Sequence, residues 1–105
     1  MFVPKIAFHP GEYIGDELQA RNWSQSDFAN LIWVSRQFVN DLIKWRKNIT
    51  PRLAILISAA FWSSADFWLW MQEMYDLYQM EKENEMIKRT EIIKLRVKEL
   101  ELEYA

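Results

Sequence analysis

Arg36, Gln37 and Asn40 sit in a stretch whose apolar residues, Phe38, Val39, Leu42 and Ile43, repeat at helical spacing. A helix that turns those four inward leaves Arg36, Gln37, Asn40 and Lys44 outward. Arginine, glutamine and asparagine carry planar donor and acceptor sets that match guanine or adenine edges in a major groove. A basic run follows. Residues 36–52 contain Arg36, Lys44, Arg46, Lys47 and Arg52 against one acid, Asp41, although the whole chain carries a net charge of −2. Residues 53–105 reverse the balance, with six basic and ten acidic side chains. A basic stripe on an acidic body suits one face to phosphate and keeps the rest away from it. Lysines and arginines solvating a surface loop would give the same run. The groove-matching side chains beside it favour a ligand.

Two short helices must position this face. Ser24 can cap the first, with Asp27 three residues on favouring its positive end, and Phe28, Leu31 and Ile32 mark its buried face. Trp33-Val34 leaves room only for a sharp turn, and Ser35 offers the second cap. Two helices, a tight turn and an outward polar face describe a helix-turn-helix. Upstream, residues 1–8 read as extended, with Phe2, Val3, Ile6 and Phe8 across the surface or a partner. His9-Pro10-Gly11-Glu12 then starts a helix that runs to about Arg21 with Ile14 and Leu18 inward. Downstream, Thr50-Pro51 opens a fourth helix with Leu53, Leu56, Ile57 and Ala60 in the core. Ser64 caps a fifth that carries the aromatic stripe Phe67, Trp68, Met71, Tyr75 and Tyr78.

From Glu81 the composition changes to a charged tract without glycine or proline. Met86, Thr90, Ile93, Val97, Leu100 and Tyr104 follow the spacing of a coiled-coil seam. Residues 93–104 also alternate in a strand-like way with one phase slip; the lysine, glutamate and leucine content favours helix. The expected organisation is therefore an all-α chain, with a helix-turn-helix domain over 1–80 and a charged, helical C-terminal extension over 81–105.

With 105 residues, half of them hydrophobic, the chain can bury one core without staples. The absence of cysteine excludes disulfides and thiolate metal sites and fits a reducing cytoplasm. No stretch reads as a signal peptide or a membrane span. His9 and Glu12 could share a metal, but no third ligand accompanies them. One histidine and no clustered carboxylates leave no catalytic constellation, so neither an enzyme nor a cofactor is expected.

Taken together, HPGEYIGDEL, SQSDFANLI, VSRQFVNDLI, NITPRLAILISAA and SADFWLWMQEMYDLYQ resemble the HigA-type antitoxins, a branch of the Cro/repressor-like helix-turn-helix family. The resemblance runs from about Phe8 to Lys82. It implies a five-helix, lambda-repressor-like domain that forms a homodimer, binds a palindromic double-stranded operator in its own promoter and binds a HigB-type ribonuclease toxin. By position it implies that Gln25 bonds a backbone phosphate. Ser35, Arg36, Gln37 and Asn40 would face the groove, and Lys44, Arg46 and Lys47 would clamp phosphates. A stand-alone repressor without a toxin would share these residues.

Four tryptophans depart from that pattern. Relatives often carry glycine at positions 33, 45, 62 and 70. Trp33, Trp45 and Trp62 each fall just past a helix drawn from periodicity, where a chain commonly turns left-handed and glycine is preferred. Two readings follow. The helices end without a left-handed residue and the rings pack on the core or a partner, or UGA codons read as glycine by the host have been written as tryptophan. On the second reading Trp23 and Trp68 are genuine.

Overall fold

A computed structural model describes residues 8–103, so the expected placement of Phe2, Val3, Ile6 and Tyr104 lies outside the described residues. Six helices follow in order: α1 (Pro10–Arg21), α2 (Gln25–Ile32), α3 (Arg36–Ile43), α4 (Pro51–Phe61), α5 (Ala65–Glu81) and α6 (Asn84–Glu103). No strand occurs among the described residues, and the alternating pattern of the tail is helical. None of these helices is long and apolar enough to cross a membrane.

Helix starts follow their capping chemistry. The His9 Nδ1 accepts from the Gly11 N–H at 2.9 Å, and Pro10 occupies the first helical position, where its missing N–H costs nothing. Ser24 and Asp27 form a reciprocal capping box: Ser24 Oγ accepts from the Asp27 N–H at 3.0 Å, and Asp27 Oδ2 accepts from the Ser24 N–H at 2.9 Å. The latter bond, reinforced by the hydroxyl, holds the Asp27 carboxyl below its usual 3.8. Ser35 accepts from the Phe38 N–H and Thr50 from the Leu53 N–H. Ser64 accepts from the Asp66 N–H at 3.2 Å.

Four helices end by one device. Just beyond α1, α2, α3 and α4 an N–H bonds a carbonyl five residues back: Trp23 to Leu18, Val34 to Ala29, Arg46 to Asp41 and Ser63 to Ser58. This Schellman pattern needs a left-handed residue between helix and loop. Asn22, Trp33, Trp45 and Trp62 supply it, with φ of 60°, 61°, 66° and 55°. The left-handed turns expected at the three tryptophans are therefore present. Asparagine tolerates the conformation through its short side chain, whereas for an indole each turn costs about 1–2 kcal/mol.

The chain divides into two compact units, residues 1–75 and 76–105. In the first, Ile14 and Leu18 of α1, Phe28, Ala29 and Ile32 of α2, and Val39 and Leu42 of α3 are buried together. Ile49, Leu53, Ala54, Ile57 and Phe61 join them, and Trp68 of α5 closes the core. Leu31, expected inward, is instead 55% exposed. Ala29 shares the buried face with Phe28 and Ile32, which places Leu31 roughly a third of a turn outside it. Phe38 is half-buried against the core. In the second unit α6 buries no residue.

Candidate nucleic-acid interface

The outward face of α3 depends on two anchors beneath it. Val39 and Leu42 are fully buried, which fixes the rotation of the helix and sends Arg36 and Gln37 into solvent. Gly11 fixes its far end: a Cβ there would run into the Leu42 carbonyl, so only glycine lets α1 approach α3 so closely. His9, also buried, sits on the same corner. Its ring meets Tyr75 edge-on at 4.9 Å and stacks on Trp45 at 6.0 Å.

Each residue singled out in the sequence has a definite place. Gln25 is the first residue of α2, half-buried, and Ser35 is the N-cap of α3 with its hydroxyl oxygen committed to the Phe38 N–H. Arg36 and Gln37 form the exposed first turn of α3, and Asn40, half-buried, lies one turn on. Lys44 closes the helix, and Arg46 and Lys47 follow in the exposed loop. Asp41 gathers part of this set. It accepts from Gln37 Nε2 at 3.0 Å and lies 3.9 Å from the Arg46 guanidinium. Without a ligand, Gln37 and Arg46 are thus held by one carboxylate, in bonds that are exposed and cheap to exchange.

A residue that sequence reasoning missed holds the loop. Gln72 of α5 is buried; its Oε1 accepts from the Ile49 N–H at 2.7 Å, and its Nε2 donates to Asn48 Oδ1 at 3.3 Å. The segment carrying Arg46 and Lys47 is therefore tied from behind to the core, next to buried Ile49. The available signal was a glutamine one turn after Trp68, on the helix face that the aromatic stripe sends inward. Arg21 makes a second tie: it pairs with Glu17 at 3.1 Å, donates to the Phe61 carbonyl at 3.2 Å and lies over the Trp23 and Phe61 rings. That bond supplies a donor to one of the orphan carbonyls at the end of α4.

A capped helix, a left-handed turn and a second capped helix with exposed arginine and glutamine in its first turn define a helix-turn-helix. The family model HTH_3, helix-turn-helix, matches residues 14–68, and the chain belongs to this family of Cro/repressor-like domains. Within the family its structural neighbours include HigA-family antitoxins. The Pseudomonas aeruginosa antitoxin HigA, solved with the higBA promoter, is 32% identical; the match covers 72% of this chain and 84% of that one, with a TM-score of 0.69. The P. aeruginosa protein PA4674, solved in complex with its operator DNA, is 30% identical over 81% of this chain and 94% of that one, with a TM-score of 0.72. Virulence-associated protein I of Dichelobacter nodosus is 32% identical over 82 residues, which cover 77% of this chain and 76% of the relative.

Proposed function

We propose that the chain is the antitoxin of a HigB/HigA-type module: a cytoplasmic, non-catalytic autorepressor of its own operon that also binds and neutralises a ribonuclease toxin. The observation that carries the DNA-binding half is the exposed first turn of α3, Arg36 and Gln37, beside the loop that holds Arg46 and Lys47. Arg36, Gln37 and Asn40 read base edges, and Ser35 lies at the groove entry. Gln25, Lys44, Arg46 and Lys47 hold phosphates on either side. Gln37 and Arg46 exchange their bonds to Asp41 for DNA. The toxin-binding half rests on the likeness to HigA.

A homodimer completes the reader, because one helix-turn-helix spans a half-site and two-fold symmetry repeats it about 34 Å away. The seam Met86, Thr90, Ile93, Val97 and Leu100 on α6 is the surface for it, with Ile93, Val97 and Leu100 exposed. Lys94 and Arg96 flank the seam at its basic end and Glu101 and Glu103 at its acidic end. Two α6 helices crossing antiparallel, with Val97 opposite Leu100 of the second copy, bring each basic residue to an acidic one. A parallel pair would set Arg89 near Lys94 instead.

The test is a gel shift on the chain's own upstream DNA across a salt series. Affinity falls with a log–log slope of about −0.9 per phosphate held. Arg36→Ala and Gln37→Ala each cost about 1–3 kcal/mol and relax base preference, while Lys47→Ala weakens all sequences alike. Undiminished binding by the double alanine variant removes the assignment. One relative, the YddM protein of Escherichia coli, 31% identical over 80 residues, is called an HTH-type transcriptional regulator, which keeps a stand-alone repressor as the second reading. Co-expression with the adjacent reading frame separates the two: an antitoxin forms a complex with that product and relieves its messenger cleavage, and a stand-alone repressor does neither.

A further inference from the structure

We propose that residues 33, 45 and 62 are glycine in the protein made by its own host, each encoded by a UGA codon that the host reads as glycine. The backbone singles out these three positions. Of the six tryptophans, only Trp33, Trp45 and Trp62 have positive φ, and each closes a helix with the same hydrogen bond from the following residue. The equivalent position after α1 holds Asn22, the residue that most often replaces glycine there. Neither glycine of the chain has positive φ. Among the described residues the chain thus has four left-handed corners, with glycine at none of them and tryptophan at three.

Packing does not compensate the strain. Trp33 is 88% exposed and Trp62 93%, so their rings bury almost nothing. Trp45 is 46% exposed and meets His9 and Tyr75, yet it too is left-handed. Trp68 is the opposite case: 1% exposed, helical, its Nε1 donating to Ser63 Oγ at 2.8 Å and its ring against Phe61 and Phe67. Trp23 stacks on Phe61 beneath Arg21. Those two side chains have structural work that glycine could not do. Trp70 lies inside α5 on helical backbone, where nothing calls for glycine, and the proposal does not extend to it.

Glycine takes the left-handed conformation without a Cβ to strain. UGG, the tryptophan codon, differs by one base from UGA, which is stop in the standard code and tryptophan or glycine in variant codes. Reading a glycine UGA by the tryptophan convention writes an indole wherever the chain turns left-handed on such a codon.

The codons of the gene test this first. UGA is expected at 33, 45 and 62, with UGG at 23 and 68; UGG at 33, 45 and 62 overturns the proposal. Peptide mass spectrometry on the protein from its own host is expected to find glycine at the three positions, and tryptophan there overturns it even if the codons are UGA. A third measurement tests the strain itself. The combined Trp33→Gly, Trp45→Gly and Trp62→Gly variant is expected to melt roughly 10–30 °C above the tryptophan chain. An equal or lower melting temperature overturns the strain argument. Trp68→Gly, the control, is expected to lower it. None of these readouts depends on DNA or toxin binding.

Discussion

Helices α3 and α6 obey opposite rules. With eight residues, α3 is too short to persist alone in water, and packing sustains it: Val39 and Leu42 are fully buried and Gly11 admits α1 against its end. Twenty residues long, α6 buries none of them and rests on good helix formers and exposed i,i+3 and i,i+4 pairs such as Glu91 with Lys94 and Glu85 with Arg89. Its Ile92, Ile93, Leu95, Val97, Leu100 and Leu102 are all exposed. A helix that displays a ligand face must be fixed by its own domain, because its side chains have to be aimed before the ligand arrives. A helix whose apolar residues stand mostly in solvent offers the surface that the proposed homodimer would cover.

The largest expected effect separates the two directly. Leu42→Ala opens a cavity under the recognition face and is expected to cost about 2–5 kcal/mol in denaturant unfolding. Val97→Ala on α6, measured at a concentration low enough for monomer, is expected to stay within about 0.5 kcal/mol of the parent. Equal losses from the two would erase the distinction.

Gln72 comes next. Its replacement by leucine leaves the buried Ile49 N–H without its acceptor, an expected loss of about 1–3 kcal/mol. The same change frees the Arg46–Lys47 loop, so operator affinity should drop although Gln72 touches no DNA. Retained affinity together with lost stability would show that the tie serves the core alone.

Periodicity found the first unit because its buried set is local. Ile14 and Leu18, Phe28 and Ile32, and Val39 and Leu42 are each readable within one helix, and Ser24, Ser35 and Thr50 mark the starts. Leu31 misled because three and four residues from Phe28 are both helical neighbours, and only the burial of Ala29 decides which side faces in. Gln72 was legible only in its direction, one turn after Trp68 on the inward face; what it holds was not, because its partners lie 23 and 24 residues away. The left-handed corners were legible as ends of hydrophobic periods. The side chains proposed for the groove face were chosen by chemical type, whereas the tether of Gln37 and Arg46 to Asp41 became visible only in the structure.

On α6 a smaller effect is expected, because exposed ion pairs contribute about 0.2–1 kcal/mol each. Lys94→Glu with Arg96→Glu should shift the monomer–dimer balance of the full chain toward monomer in sedimentation, and adding Glu101→Lys and Glu103→Lys should restore it. Lys94→Glu alone distinguishes the two arrangements: it should weaken an antiparallel pair, where residue 94 meets Glu101, and strengthen a parallel one, where it meets Arg89.

The smallest effect lies at the entrance to α2. Ser24 donates its N–H to Asp27, and that bond, with the hydroxyl beside it, lowers the carboxyl below 3.8 in the folded chain. A carboxyl lowered on folding stabilises the fold when ionised, so its contribution is present above the unfolded value and disappears as pH falls through the folded one. Stability measured from pH 5 downward should therefore decline below about pH 4. Asp27→Asn, an uncharged acceptor like the protonated acid, should flatten that part of the curve by slightly lowering stability in the neutral region. Asp27 is fully exposed, so the change will be slight and best seen as a difference between two melting curves. The comparison also has an internal control: Glu85 is an acid in the first turn of α6, and Glu85→Gln should leave the melting of the first unit unchanged.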